Sequence, residues 1–70
     1  DESPRFNYEV KDVKKAVSKL PQGYKIVFDL YMFEDFSHRE IASELGISEA
    51  TSKSQLSRAK KKVRQELELL

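Results

Sequence analysis

Residues Ser37–Arg64, SHREIASELGISEATSKSQLSRAKKKVR, decide the fold of this 70-residue chain because they contain two helix starts separated by one tight turn. Ser37 and Glu40 have the spacing of a capping box, in which each side chain accepts a hydrogen bond from a backbone N–H at the start of a helix. Phe36 and Ile41 flank this cap at the spacing of a hydrophobic staple. The pattern predicts a short helix that begins just after Ser37.

The stretch then turns and begins a second helix. Gly46 tolerates the positive φ with which a chain leaves a helix. Ser48 is the next candidate N-cap, and Glu49 lies at the positive end of the following helix dipole. We expect this second helix to run from about Glu49 to the late sixties. Helix, short turn and helix at this spacing are typical of the helix-turn-helix motif of DNA-binding proteins.

The second helix has two distinct sides when its residues are placed 100° apart. One narrow stripe is predicted to be buried and consists of Ser52, Leu56, Ala59, Val63 and Leu67. The opposite side and one flank collect Lys53, Ser54, Ser57, Arg58, Lys61 and Arg64.

Positive charge is concentrated on this helix. The whole chain has 13 basic and 12 acidic residues, whereas the segment 50–65 has six basic residues and no acid. The rest of the chain therefore keeps seven basic and twelve acidic residues, a net charge of −5 against +6. Solubility alone explains this asymmetry poorly, and an anionic partner that faces the helix explains it better.

Composition limits the other possibilities. Seventy residues with 39% hydrophobic and 36% charged residues are typical of one small soluble helical domain. No apolar run reaches the ~20 residues of a membrane span, and no signal peptide is recognisable. The absence of cysteine excludes disulfides and thiolate metal sites and agrees with a cytoplasmic location. Because the first residue is Asp1 rather than Met, we expect a fragment, with a linker remnant at 1–6 and one domain at 7–70.

Two further helices are predicted upstream. Val10, Val13, Val17 and Leu20 recur at helical spacing, which predicts an amphipathic helix over Tyr8–Lys19 with Asn7 as a possible cap. Pro21 ends it.

The next helix is expected from Pro21–Gly23 to about Glu34. Its segment YKIVFDLYMF could also form a strand, but it lacks strict alternation and a partner strand, which favours a helix. It has more apolar surface than so small a domain can cover, so part of it is expected to meet a protein partner. The prediction is an all-α, compact four-helix domain with a C-terminal helix-turn-helix, of the winged-helix-like class but without a wing.

The residues from Leu20 to Val63 read LPQGYKIVFDLYMFEDFSHREIASELGISEATSKSQLSRAKKKV. This segment resembles region 4, the C-terminal domain, of bacterial sigma factors of the extracytoplasmic-function group. The family pattern is LPxxxRxVFxLxxxEGxSxxEIAxxLGISxxTVKSRLxRAxxxL. The resemblance is specific because two elements coincide: the helix-turn-helix residues and the less common aromatic block before them.

This resemblance implies a role in transcription initiation. In the family, this domain holds the −35 promoter element while it binds a flexible flap of RNA polymerase. Matched by position, the side chains that approach base edges are Lys53, Ser54, Ser57 and Arg58. Arg39, Thr51 and Lys60 match positions near the phosphate backbone. Lys61 and Arg64 lie further along the second helix, beyond the bases, and are also expected to contact phosphates. The first two helices correspond to the part that meets polymerase, and Met32 and Phe33 are the side chains expected to face polymerase or an anti-sigma factor.

Three residues depart from the family pattern. Asp35 replaces the turn glycine, which predicts strain or a reshaped turn. Ser52 replaces the usual valine, so the start of the second helix should loosen unless the Ser52 hydroxyl bonds back to the Ser48 carbonyl. Gln55 replaces the common arginine and removes a possible phosphate or guanine contact.

No enzyme is predicted, because the sequence has no nucleophilic triad, glycine-rich phosphate loop or reactive carboxylate pair. His38 is the only histidine and has no second candidate ligand beside it, so neither a metal nor a cofactor is expected. The expected partners are double-stranded promoter DNA, the RNA polymerase core and an anti-sigma factor, with no membrane contact and a monomeric fragment. Two alternatives stay open: the DNA-binding output domain of a LuxR-type response regulator, and a helical protein-interaction module whose basic helix binds an acidic protein.

Overall fold

The computed structural model describes residues 9–69, which form four α-helices. Their bounds are α1 Val10–Ser18, α2 Gln22–Met32, α3 His38–Leu45 and α4 Glu49–Glu68. No strand occurs within the described range. The all-α, four-helix prediction is therefore confirmed, and the YKIVFDLYMF segment is helical as far as Met32, two residues short of the predicted end near Glu34. The predicted linker 1–6 and the possible cap at Asn7 lie outside the described residues.

The longest helix, α4, is the centre of the fold because it packs against each of the other three. All five residues of its predicted stripe are buried, including the one polar member, Ser52. The hydrophobic residues that share the core are Val13, Ala16, Val17, Leu20, Val27, Phe28, Ile41, Leu56, Ala59, Val63 and Leu67. The side of α4 that faces solvent is therefore set by the burial of its opposite side.

One residue of the predicted α1 stripe is not in the core. Val10 is 64% exposed, whereas Val13 and Val17 are buried. Val10 is the first residue of α1, and Glu9 at the N-cap makes no side-chain capping bond. Periodicity assigns a residue to a side of a helix, but it does not say how far along the helix the neighbouring elements extend.

The start of α3 has the capping box that the sequence predicts. The backbone N–H of Glu40 donates to Ser37 Oγ at 3.1 Å, and the backbone N–H of Ser37 donates to Glu40 Oε1 at 2.8 Å. Phe36 packs against the core and Ile41 is fully buried, as a staple requires. These contacts fix the direction in which the chain enters the helix-turn-helix.

The turns around α3 use two left-handed residues. Gly46 leaves α3 with a φ of 67°, as predicted. Asp35, between α2 and α3, has a φ of 60°, so the replaced glycine does leave an L-residue in a strained conformation. The loop is nevertheless closed by the Phe36 N–H, which donates to the Leu30 carbonyl at 2.9 Å.

Candidate nucleic-acid interface

The candidate interface is the outer face of α4, which we call the basic face and define by its exposed residues. These are Lys53, Ser54, Ser57, Arg58, Lys61 and Arg64. None of its four cations forms an ion pair with a residue in the range 9–69. The four side chains predicted to reach base edges thus share one solvent-facing surface, and their charge is not neutralised by the described part of the protein.

The N-terminus of α4 lies beside this face and is well capped. The Ser48 hydroxyl accepts from the Thr51 backbone N–H at 2.9 Å and donates to the Thr51 hydroxyl oxygen at 2.8 Å. Because Thr51 Oγ1 accepts from Ser48, the Thr51 O–H is left to donate a hydrogen bond to a phosphate oxygen. Arg39 and Thr51, the two predicted phosphate contacts near helix starts, are both exposed.

Lys60 differs from the other predicted phosphate contacts. It is half-buried, and its ammonium lies 5.8 Å from the centre of the Tyr31 ring. Burial lowers the pKa of the Lys60 ammonium from its usual value. Lys62 makes a similar contact, with its ammonium 5.9 Å from the centre of the Tyr24 ring. Two cations of α4 therefore lie over tyrosines of α2, whose ring faces attract the ammonium groups.

A polar contact joins α3 to α4 underneath this face. His38 Nδ1 lies 2.8 Å from Ser52 Oγ, and the His38 ring stacks on Tyr31 with 4.6 Å between ring centres and 21° between planes. Ser52 is fully buried, so its hydroxyl needs a hydrogen-bond partner inside the protein. The apolar neighbours cannot supply one, and His38 does. We call Tyr31, His38 and Ser52 the three-helix contact, because they come from α2, α3 and α4.

The three-helix contact corrects the expectation for Ser52. The hydroxyl neither lacks a partner nor depends on the Ser48 carbonyl, which instead accepts the backbone N–H of Ser52 at 3.0 Å. The sequence held the signal for this contact: a serine in an apolar stripe needs a partner, and the only histidine begins the preceding helix.

The His38 imidazole is also affected by its surroundings. Burial lowers the pKa of the imidazole below its usual value, and the positive charges of Lys53 and Lys60 act in the same direction. Glu49 opposes these effects. The neutral ring is therefore favoured in the folded protein, where Nδ1 pairs with the Ser52 hydroxyl.

A second surface lies between α1 and α2 and is lined by none of the residues of the basic face. Phe33 is 40% exposed, its ring is edge-on to Phe28, and the Lys14 ammonium lies 5.6 Å from its centre. Phe33 borders an open groove of about 330 Å³, which is also lined by Lys14, Val17, Ser18, Lys25, Asp29 and Glu34. Met32 is half-buried against the core, so Phe33 is the more accessible of the two side chains predicted to meet a protein.

Other kinds of site find little support in this part of the chain. Within residues 9–69, no group of three or more histidine, cysteine, aspartate or glutamate residues could hold a metal ion. None of the helices in the same range combines the length and the apolar character that a bilayer-crossing segment requires.

Comparison with known proteins agrees with the geometry of the helix-turn-helix. The chain is 33% identical over 64 residues to the ECF RNA polymerase sigma factor SigM of Bacillus subtilis (strain 168), which covers 90% of this chain and 39% of SigM. It is 32% identical over 56 residues to the RNA polymerase sigma factor SigZ of the same organism, covering 80% of this chain and 32% of SigZ. The chain thus spans about a third to two fifths of the length of these curated relatives.

No solved structure matches the chain with significance. The sequence model of the family described as "Sigma-70, region 4" matches residues 11–63. This match covers most of the chain and includes all of α1 except its first residue, all of α2 and α3, and the greater part of α4. The chain therefore belongs to the sigma-70 region 4 family.

Proposed function

We propose that this domain binds the −35 element of promoter DNA as part of a sigma factor of the extracytoplasmic-function group, and so directs RNA polymerase to promoters. The observation that carries the proposal is the basic face of α4, which is exposed, unpaired within the described residues and backed by a buried stripe. Membership of the sigma-70 region 4 family favours this function over a LuxR-type output domain.

In the proposed complex, α4 lies in the major groove of the duplex. Lys53, Ser54, Ser57 and Arg58 approach the base edges, and the Arg58 guanidinium donates to O6 and N7 of a guanine. The two small serines let the helix lie deep in the groove. Arg39, Thr51, Lys60, Lys61 and Arg64 contact phosphates and hold the helix in register. Lys60 must leave the Tyr31 ring to do so.

The surface between α1 and α2 is proposed to meet protein rather than DNA. Its exposed aromatic residue, Phe33, and the neighbouring Met32 would contact the flap of RNA polymerase or an anti-sigma factor. The domain itself is proposed to be monomeric, non-enzymatic and cytoplasmic, to occupy residues 7–70 and to be joined by the linker at 1–6 to the rest of the sigma factor. A single helix-turn-helix buries a modest area, so tight binding is expected only together with polymerase and the other promoter-binding domain.

Selection of bound duplexes from a random pool, with the domain joined to polymerase, tests the function and returns the recognised sequence. A second measurement uses the chain alone at low salt and compares two charge-reversal variants. Lys53→Glu with Arg58→Glu should abolish measurable duplex binding, whereas Lys11→Glu with Lys15→Glu on α1 should retain most of it, although both pairs change the net charge equally. Equal losses would mean that only net charge matters, and a random pool that yields no common sequence would refute sequence-specific recognition.

A further inference from the structure

Besides its apolar packing, the helix-turn-helix of this protein is joined at two points. The first is the covalent turn at Gly46–Ser48, which joins the end of α3 to the start of α4. The second is the hydrogen bond between His38, the first residue of α3, and Ser52 in the first turns of α4. The two points are separated by the length of α3, about 10 Å at 1.5 Å per residue.

Two attachments so far apart constrain the angle between α3 and α4 in a way that one cannot. Without the hydrogen bond, the N-terminal end of α3 would be positioned against α4 by non-directional apolar packing alone. The residues of α3 that pack inside are Ile41, fully buried, and the partly buried Ala42 and Leu45, all of which lie in its middle or at its C-terminal end. At the N-terminal end of α3, Phe36 packs against the core just before the helix, and the hydrogen bond from His38 to Ser52 joins the helix directly to α4.

The His38 ring is itself held in place from α2. Tyr31 stacks on it, and the ring atom that faces α4, Nδ1, is thereby directed at the Ser52 hydroxyl. Ser52 directly precedes Lys53 and lies six residues, about one and two-thirds turns, before Arg58, so any rotation at Ser52 moves both side chains proposed to read bases.

We propose that His38 is a positioning residue for DNA recognition: the three-helix contact sets the crossing angle of α3 and α4, and with it the register of the basic face in the major groove. This inference rests on the proposed function for its effect on DNA, but its effect on the helix angle can be measured in the free protein. It also assigns a role to Ser52, one of the three residues at which this chain departs from the family pattern.

Charged and titratable groups of both α4 and α2 surround His38. Lys53, Lys60 and Glu49 face it from α4, and Tyr31 faces it from α2. Experiments at a single pH well above the usual pKa of histidine keep the ring neutral in all variants and separate positioning from the charge of the imidazole.

The test is a double-mutant cycle. His38→Phe keeps an aromatic ring against Tyr31 but removes Nδ1, and Ser52→Val removes the hydroxyl while it supplies an apolar residue. Each single variant should lower affinity for the selected duplex by about 3- to 10-fold, the equivalent of one hydrogen bond, with at most a twofold change for a scrambled duplex. The double variant should bind no worse than either single one, because both remove the same interaction. Ser43→Ala, an exposed change elsewhere on α3, should bind like the unaltered chain.

Residual dipolar couplings of the backbone amides give the angle between α3 and α4 in each free protein. The angle should change in His38→Phe and stay unchanged in Ser43→Ala, and His38→Asn, which retains a polar atom near the position of Nδ1, should restore it in part. Unchanged angles in both single variants, or losses of affinity that add in the double variant, would overturn the proposal. If the unaltered chain prefers no duplex while the angle still depends on His38, the positioning role stands and the proposed function fails.

Discussion

Arg58 offers the sharpest test of base recognition because its side chain makes no contact that stabilises the described part of the fold. It lies exposed on the basic face and pairs with no carboxylate in residues 9–69. Arg58→Ala should therefore change the free energy of unfolding by no more than about 0.5 kcal/mol. Any larger loss of DNA affinity must come from the interface.

The expected loss follows from the contacts that one guanidinium can make. A bidentate pair from Arg58 to guanine contributes about 1–3 kcal/mol of discrimination, equal to roughly 5- to 150-fold in affinity at one base pair. Lys61, three residues further along the same exposed flank, provides a matched control. Lys61→Ala should weaken binding to every duplex alike and reduce the slope of log affinity against log salt by about 1, because it removes one phosphate contact.

The assay is fluorescence anisotropy with the selected duplex and a set of single-base-pair variants, at several salt concentrations. For Arg58→Ala, affinity should become insensitive to one base pair and keep its preference at the others. For Lys61→Ala, the whole set should shift together. If Arg58→Ala kept the complete base preference, or if Lys61→Ala changed the preferred base, the roles assigned to the two side chains would be wrong.

Three further predictions concern the fold that supports the basic face. Ser37→Ala removes half of the capping box and should lower the free energy of unfolding by about 0.5–2 kcal/mol in urea denaturation. Ser43→Ala, at an exposed serine inside α3 that caps no helix, is the control. Asp35→Gly removes the strain of an L-residue with a left-handed backbone and should raise the free energy of unfolding by about 0.5–1 kcal/mol, since the ~1–2 kcal/mol of strain exceeds the extra unfolded-state entropy of glycine. A lower free energy of unfolding would mean that the aspartate carboxylate stabilises the fold by more than the strain costs. Because the folded pKa of His38 lies below the unfolded value, the unfolded state binds more protons, so stability should fall as the pH drops through about 6.5 and level off below the folded pKa. Thermal unfolding measured from pH 8 to 5 should show this slope, and His38→Phe with Ser52→Val should flatten it.

Local sequence rules were sufficient for most of the fold. The burial of all five stripe residues of α4 follows from a spacing that only a helix satisfies, and the cap at Ser37 follows from one serine and one glutamate three residues apart. The αL conformations at Gly46 and Asp35 were predictable because Gly46 directly follows the end of α3 and Asp35 lies in the short connection between α2 and α3. In each case, the residues that determine the structure are close together in the sequence.

The three-helix contact could not be predicted in the same way. His38 and Ser52 are 14 residues apart, and Tyr31 belongs to another helix again, so their meeting depends on how α2, α3 and α4 pack. The exposure of Val10 has the same origin, since it depends on where neighbouring elements end. The residues of the basic face were predicted to be exposed and are exposed, but their contacts with bases and phosphates remain predictions.

Lys60 and Lys62, which lie over tyrosine rings, lower the number of α4 charges that are free to contact DNA. Six basic residues between Ala50 and Gln65 suggest six positive charges available to the duplex, yet Lys60 and Lys62 already have aromatic partners on α2. Each contact is worth about 0.5–1 kcal/mol at an exposed site, a cost that a phosphate contact must exceed before the ammonium leaves its ring. The salt dependence of binding should therefore reflect Lys53, Arg58, Lys61 and Arg64 first. In this reasoning, removing the ring of Tyr24 would free Lys62 and steepen the salt dependence, an outcome that a simple count of positive charges does not predict.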